Sequence, residues 1–255
     1  MEWNEISLEL AKEVEKAVMP LFGTKKAART VGRSPSGDVT KFVDSVAENV
    51  ILNRLSPLGV NIVSEEVGTI TGESEYTVVV DPIDGSYNFV SGIPIFAFSF
   101  AVFKNENPLY GMIYEFVTGN VYEAIAGEGA YLNGERIRVR KAEEGKYALS
   151  FYTRGWGLEL IKRVKRTRVL GAVALELAYL ARGAIDGVLD IRNYVRPTDI
   201  AAGVLIAREA GAIVMDTEGK ELRFSLSAEE KGNIIAVNDE RVLKVVLDSL
   251  KQNTF

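Results

Sequence analysis

The chain has 255 residues, of which 47% are hydrophobic and 25% are charged, and its formal net charge is -5. This composition is typical of a globular protein that can bury a substantial core. The sequence contains no cysteine and no histidine, which excludes disulfides, thiolate nucleophiles, Cys/His zinc sites and Ser-His-Asp triads. Hydrolysis would therefore depend on carboxylates, hydroxyls, Lys/Arg side chains and a hard metal ion.

Charge and hydropathy set expectations for location and partners. The acidic balance argues against nucleic acid as the main partner. The first residues, MEWNEISLELAKEVEK, lack the basic and apolar regions of a signal peptide, and the most apolar run, IPIFAFSFAVF, is too short to span a bilayer. We therefore expect a cytoplasmic protein that makes no membrane contact. The single glutamine and the lack of cysteine favour a thermophilic source.

In the first part of the chain, apolar residues at helical spacing predict a helix over residues 3–22. A basic loop, KKAARTVGRSPSGDVT, follows, and TKFVDSVAENVILNRL is predicted to be a second helix. The segments VNIVSEE and YTVVVD are predicted strands that end on acidic residues. Residues 95–140 alternate strands with turns, which predicts an antiparallel sheet.

After KAEEGK the pattern changes to strands that alternate with helices. The predicted strands are YALSFYT, RTRVLG, IDGVLDI, AIVMD and NIIAV, and the predicted helices are WGLELIKRV, AVALELAYLARG, PTDIAAGVLIAREAG and DERVLKVVLDSL. This change predicts an α+β lobe over residues 1–140 and an α/β lobe over residues 141–255. We expect one compact two-lobed unit whose helices and sheets are stacked in layers.

The segment VVVDPIDGSYNF carries two carboxylates at the end of a strand that should be buried. Burial of a carboxylate is costly unless a cation or hydrogen bonds compensate it. Asp81 and Asp84 could bind a hard cation, while Gly85 allows close approach of the backbone, and amides at Gly85 and Ser86 could bind a phosphate oxygen. Taken alone, the segment could also be an ordinary Asp-Gly turn.

Other acidic residues could join this site. Glu65 ends the neighbouring strand, and Asp199 lies near the start of a helix, where the helix dipole alone could explain an acid. Thr40 and Asp44 are four residues apart and would share one face of the second helix, which could also be a solvated polar face. If the fold brings the segments together, an all-oxygen set suited to Mg²⁺ results. Its members would be Glu65, Asp81, Asp84, Asp199 and the carbonyl of Ile83.

Four ordered segments resemble the motifs of the inositol monophosphatase superfamily. They are GDVTKFVDSVAE, VSEE, DPIDGSYNF and TDIAAGVLIAREAGA. Within that superfamily the chain is most similar to the archaeal enzymes that act as both fructose-1,6-bisphosphatase and inositol monophosphatase. Two positions depart from the pattern: Thr198 stands where tryptophan is usual, and Ala212 stands where the second glycine is usual. Neither departure removes a predicted ligand.

The resemblance implies a layered αβαβα sandwich and lithium-sensitive hydrolysis of phosphomonoesters with two or three Mg²⁺ ions per active site, usually in a homodimer. The substrate would be a small phosphorylated sugar or cyclitol. The implied metal ligands are Glu65, Asp81, the Ile83 carbonyl, Asp84 and Asp199, with Asp38 at a third site. The implied catalytic residues are Glu65, Ser86, which orients the attacking water, Asp44, which supports Ser86, and Thr40.

The substrate residues implied by the resemblance include two arginines. Arg suits a second phosphate because its planar fork binds bidentately, although both could be surface ion-pair residues. The implied set is Asp84, Gly85, Ser86, Arg168, Val173, Asp190 and Arg192. Two alternatives stay open: a 3'(2'),5'-bisphosphate nucleotidase of the same superfamily, and a non-catalytic binding or regulatory protein that keeps the fold.

Overall fold

Helices form where the sequence places apolar residues at helical spacing. The structure is a computed structural model that describes residues 2–35 and 37–251. Its helices are α1 (Trp3–Val18), α2 (Phe42–Leu55), α3 (Ser86–Ser91), α4 (Glu159–Arg163), α5 (Val173–Ala181), α6 (Pro197–Glu209) and α7 (Glu240–Lys251). Short 3-10 turns follow α1 at Met19–Leu21 and α2 at Ser56–Leu58, and each contains a proline.

The strands of the first half form a hairpin and a large sheet. They are β1 (Thr30–Arg33), β2 (Val39–Lys41), β3 (Asn61–Ser64), β4 (Gly68–Ile70), β5 (Tyr76–Asp84), β6 (Ala97–Lys104), β7 (Asn107–Glu115), β8 (Asn120–Ile125), β9 (Gly129–Leu132) and β10 (Glu135–Ile137). Strand β1 pairs with β2, and the eight others form one sheet in the order β10-β9-β8-β7-β6-β5-β3-β4. Only β3 and β5 pair in parallel among these strands of the described chain, so both end at the same edge of the sheet.

A second, five-stranded sheet lies in the other half. Its strands are β11 (Ala148–Tyr152), β12 (Arg166–Arg168), β13 (Gly187–Val195), β14 (Ile213–Met215) and β15 (Gly232–Val237), in the order β12-β11-β13-β15-β14. The two sheets therefore divide between residues 137 and 148, as the change in sequence pattern predicts. The description of the two halves as separate lobes stays a prediction.

Helices cover both sheets in a five-layer αβαβα arrangement, which confirms the predicted fold. Helices α1 and α2 pack on one face of the large sheet, and α5 and α6 fill the space between the sheets. Helices α4 and α7 cover the outer face of the small sheet. The middle layer shares its core with the large sheet, because residues such as Ala172 and Leu205 belong to the same buried cluster as Val79 and Ile113.

Two local expectations about the first basic segment were wrong. Residues 25–40 are not a simple loop, because β1 and β2 pair there as an antiparallel hairpin. Thr40 lies in β2 rather than on the second helix, and so it does not share a helix face with Asp44. The helix starts at Phe42 because Lys41 has an extended backbone and its N–H donates to Asp44 Oδ2 at 3.0 Å, which caps the helix.

No helix within residues 2–35 and 37–251 combines the length and apolar character needed to cross a bilayer.

Candidate active site

Three carboxylates converge at the edge of the large sheet where β3 and β5 end. Ser64 pairs with Val80 in the parallel ladder, so Glu65 and Asp81 follow side by side. Asp199 reaches the same point from the first turn of α6. The carboxylates of Glu65, Asp81 and Asp199, which we call the acidic cluster, each offer an oxygen within 4.8 Å of the others. The fold therefore brings together the segments that carry Glu65, Asp81 and Asp199, although they are distant in the sequence.

The acidic cluster is electrostatically unfavourable without a cation. Burial, followed by the charge of Glu65, raises the pKa of Asp81 well above its ordinary value. Burial and the neighbouring Asp199 likewise raise the pKa of Glu65 well above its ordinary value. All the donor atoms are carboxylate oxygens, the type that hard divalent cations prefer. The cluster therefore fits a divalent metal by both charge and ligand type.

Asp84 lines one cavity together with the acidic cluster, and a backbone N–H of α5 holds its carboxylate. Its Oδ2 accepts a hydrogen bond from the Leu175 N–H of α5 at 3.2 Å. Burial is the main reason that its pKa lies well above the ordinary value, and this hydrogen bond opposes the shift. The Asp81 carboxylate is oriented in a similar way, because its Oδ1 accepts the Ile83 N–H at 2.9 Å. Both carboxylates of the DPIDG segment are thus fixed by backbone amides.

A tight turn at Gly85 follows, and it needs glycine. Its φ is +88°, in the left-handed region, and an added Cβ would lie 3.0 Å from the Ala172 side chain and 3.0 Å from the Ile95 carbonyl oxygen. The Asn88 amide donates to the carbonyl oxygens of Ile95 and Leu170 at 2.8 and 2.7 Å. These contacts join α3 to the loop that precedes α5.

Ser86 has a partner that the sequence reasoning missed. Lys41 Nζ donates to Ser86 Oγ at 2.9 Å and lies 3.7 Å from Asp44 Oδ2. Asp44 is buried, and burial raises its pKa despite the lysine. Lys41 thus connects Ser86 to Asp44, while the Thr40 hydroxyl donates to Glu66 Oε2 at 2.5 Å. Lys41 lies between Thr40 and Asp44, two predicted site residues, and this position could have suggested it.

The cavity also contains an arginine whose position is fixed by its partners. The cavity measures about 280 Å³, and Val173, Asp190 and Arg192 line it beside the carboxylates. Arg192 donates two side-chain hydrogen bonds to the buried Asp190, at 2.9 and 2.5 Å. Its guanidinium also lies 4.5 Å from the ring centre of Tyr152. Both oxygens of Asp190 therefore accept hydrogen bonds from Arg192, and the implied role of Asp190 in substrate binding stays a prediction.

Arg168 and Asp38 are not among the residues that line the cavity. Arg168 is exposed on the edge strand β12, where its Nη1 donates to the Thr167 carbonyl, and it is not among the residues that line the cavity. Asp38 pairs with Arg196, a buried arginine that also donates to Glu65 Oε1 at 2.6 Å. Sequence reasoning did not identify Arg196, because no local pattern predicts a contact between residues 131 positions apart.

The comparisons with known proteins agree with this geometry. The profile of the inositol monophosphatase family matches residues 1–254. A fructose-1,6-bisphosphatase/inositol-1-monophosphatase of Thermococcus kodakarensis is 66% identical over 98% of this chain and 97% of its own. A fructose-1,6-bisphosphatase of Pyrococcus furiosus is 56% identical over 98% of each chain.

A solved structure extends the similarity to three dimensions. The crystal structure of an inositol monophosphatase–fructose 1,6-bisphosphatase superposes with a TM-score of 0.95 at 48% identity, and the match covers 98% of this chain and 100% of that one. The order of motifs, the five layers and the acidic cluster therefore have one explanation. The chain belongs to the inositol monophosphatase family.

Proposed function

We propose that this chain is a Mg²⁺-dependent phosphatase that hydrolyses both fructose 1,6-bisphosphate and inositol 1-phosphate. The observation that carries the proposal is the acidic cluster beside the Gly85 turn, which sets sites for a cation and for a phosphate within one cavity. Several relatives that match most of the chain, among them the Thermococcus kodakarensis protein, are named for these two activities.

The metal-binding part of the proposal assigns ligands from four elements. They are Glu65, Asp81, the Ile83 carbonyl, Asp84 and Asp199, with Asp38 at an additional site. Bound Mg²⁺ would neutralise the phosphate and lower the pKa of a bound water. Because the chain has no histidine, that water must be oriented by other groups. Ser86, whose hydroxyl accepts a hydrogen bond from Lys41, is free to direct its own proton toward a water or a substrate oxygen.

The substrate part of the proposal places the scissile phosphate at the amides of Gly85 and Ser86. The rest of the substrate would lie toward Val173, Asp190 and Arg192, which line the same cavity. Only a bisphosphate carries a second dianion, for which Arg192 is the available cation in the lining on that side, with Arg168 on the neighbouring edge strand. By resemblance to the family we also propose a cytoplasmic homodimer.

A phosphate-release assay tests the proposal. Purified protein would be given fructose 1,6-bisphosphate, inositol 1-phosphate or adenosine 3',5'-bisphosphate, with Mg²⁺ or with EDTA. We expect Mg²⁺-dependent release from the first two substrates. Preference for the adenosine bisphosphate would favour the nucleotidase alternative, and no release from any substrate would favour the non-catalytic alternative.

A further inference from the structure

Arg196 has an unusual environment for a cation. Among residues 2–35 and 37–251 it is the only lysine or arginine whose side chain is buried, with 2% of its surface exposed. It directly precedes α6, and its backbone N–H donates to Asp199 Oδ2 at 2.8 Å. A buried guanidinium requires compensation by acceptors of opposite charge. Its partners therefore indicate what the arginine does.

Those partners are two proposed metal ligands from different elements. Nη1 donates to Glu65 Oε1 at 2.6 Å, and Nη2 donates to Asp38. Glu65 belongs to the acidic cluster, while Asp38 directly precedes β2 and is 42% exposed. The rigid fork of the guanidinium holds both carboxylates at once. Arg196 thus already neutralises part of the charge that would attract a divalent cation.

A divalent cation at Asp38 would meet two obstacles. It would have to take over an oxygen that the guanidinium binds, and it would bring like charge close to the buried Arg196 side chain. Like charges a few ångströms apart repel strongly when the effective dielectric constant is low. The first obstacle is absent for a cation bound between Asp81 and Asp199, since Arg196 makes no side-chain hydrogen bond to either carboxylate.

We propose that Arg196 is an internal counter-cation that competes with a divalent metal ion for Asp38 and so keeps the Asp38-dependent metal site weaker than the acidic-cluster site. The inference rests on the proposed metal site and adds to it a residue that sets how many ions are bound at a given concentration. Arg196 acts through the carboxylates and is not assigned to touch substrate.

An equilibrium titration with Mn²⁺ alone tests the proposed competition for Asp38 without an activity assay. Electron paramagnetic resonance would measure the concentration of the free ion. Arg196→Gln should tighten the weakest Mn²⁺ site roughly ten- to hundredfold, because a charge-assisted hydrogen bond no longer has to be broken. Asp38→Asn should remove that site both in the wild type and in Arg196→Gln. Arg140→Gln, which changes another carboxylate-paired arginine but one that does not line the cavity, is the matched control and should leave the titration unchanged.

The outcomes separate this inference from the proposed function. Unchanged or weaker Mn²⁺ binding in Arg196→Gln would overturn the competition and make Arg196 a structural clamp. Tightening that persists in the Asp38→Asn background would also overturn it. If wild type bound no Mn²⁺ at all, the proposed function itself would fail. Should Arg196→Gln not fold, Arg196→Lys, whose single ammonium cannot bridge both carboxylates, should show intermediate tightening.

Discussion

Asp81 shows at the scale of one residue how a binding site can oppose stability. Its carboxylate is 4% exposed and faces Glu65 and Asp199, so its ionised form is unfavourable in the metal-free protein. Asp81→Asn keeps the shape and removes the charge. We expect phosphatase activity to be nearly lost at saturating Mg²⁺, while the metal-free protein melts at a higher temperature than wild type in EDTA.

Kinetics at saturating Mg²⁺ and thermal unfolding in EDTA would measure the two effects. Glu218→Gln removes an exposed carboxylate that pairs with the exposed Lys220, and it should change neither quantity. Activity near that of wild type in Asp81→Asn would show that Asp81 does not bind the essential metal.

The second prediction at the scale of single residues concerns Ser86 and its hydrogen-bond donor Lys41. Ser86→Ala should reduce kcat by about 10²–10⁴, the usual contribution of a group that positions or transfers a proton. Lys41→Met should also reduce kcat, because Ser86 then loses the donor that orients its hydroxyl. Metal affinity should change little in Ser86→Ala, since the hydroxyl is not assigned as a ligand. Steady-state kinetics with Mg²⁺ titrations would measure both effects.

Ser91→Ala is the control for Ser86, because Ser91 ends the same short helix and is exposed. A kcat for Ser86→Ala equal to that of this control would remove Ser86 from the mechanism.

At the scale of elements, α5 is connected to the cavity by a buried acid. The carboxylate of Glu176 accepts hydrogen bonds from the Tyr152 hydroxyl at 2.9 Å and from the Leu170 N–H at 2.6 Å. The same hydroxyl accepts the Gly171 N–H at 2.6 Å. Glu176 therefore fixes the loop that packs against the Gly85 turn. Burial is the main reason that the pKa of Glu176 is raised from 4.5 to about 7.

This raised pKa predicts how the stability of the metal-free protein depends on pH. Between pH 4.5 and 7 the folded protein retains a proton on Glu176 that the unfolded chain releases. The stabilisation is therefore complete below pH 4.5 and is lost as pH rises through 7, by on the order of 3 kcal/mol. Glu176→Gln, which stays neutral, should flatten the fall in stability between pH 5 and pH 8.

Denaturant unfolding in EDTA at several pH values would measure that slope. Part of the slope should persist in Glu176→Gln, because burial raises the pKa of Glu48 to about 7 as well. Glu218→Gln should keep the full wild-type slope. A Glu176→Gln slope identical to wild type would show that Glu176 titrates normally.

The sequence predicted the elements better than it predicted the contacts between them. Strands, helices and the DPIDG turn depend on local patterns, and the structure confirms most of them. The hairpin at β1 and β2 was missed because both strands are short and carry no apolar alternation, and β1 is exposed along its whole length. Arg196 and Glu176 were missed for another reason. Each acts through partners on other elements, and nothing in the local sequence distinguishes a buried charge from an exposed one.

At the scale of the whole molecule, the cavity lies where the two sheets meet across the middle helix layer. Glu65 and Asp81 come from the large sheet, Asp199 comes from α6, and Asp190 and Arg192 come from β13 of the small sheet. The proposed metal ligands and the proposed substrate residues thus belong mostly to different halves of the chain. Residues of the second half could therefore alter substrate preference while most of the proposed metal ligands, apart from Asp199, stay in the first half.

The last prediction tests that division with two arginines. Arg192 lines the cavity and is held by Asp190 and by the Tyr152 ring, whereas Arg168 lies on the edge strand outside the lining. A charge-assisted hydrogen bond contributes roughly 1.5–3 kcal/mol. Arg192→Ala should therefore reduce kcat/KM for fructose 1,6-bisphosphate about ten- to a hundredfold. Inositol 1-phosphate, which has no second phosphate, should lose much less, and Arg168→Ala should have the smaller effect on the bisphosphate.

Steady-state kinetics of both variants on both substrates would measure the ratio. Because Arg192→Ala also leaves the buried Asp190 without its partner, thermal unfolding must accompany the kinetics, and Arg192→Lys, which keeps the charge, should recover part of the activity on the bisphosphate. Equal losses on the two substrates would mean that Arg192 serves the shared phosphate or the fold. The second phosphate would then be bound elsewhere, and a larger effect of Arg168→Ala would place it at the edge strand β12.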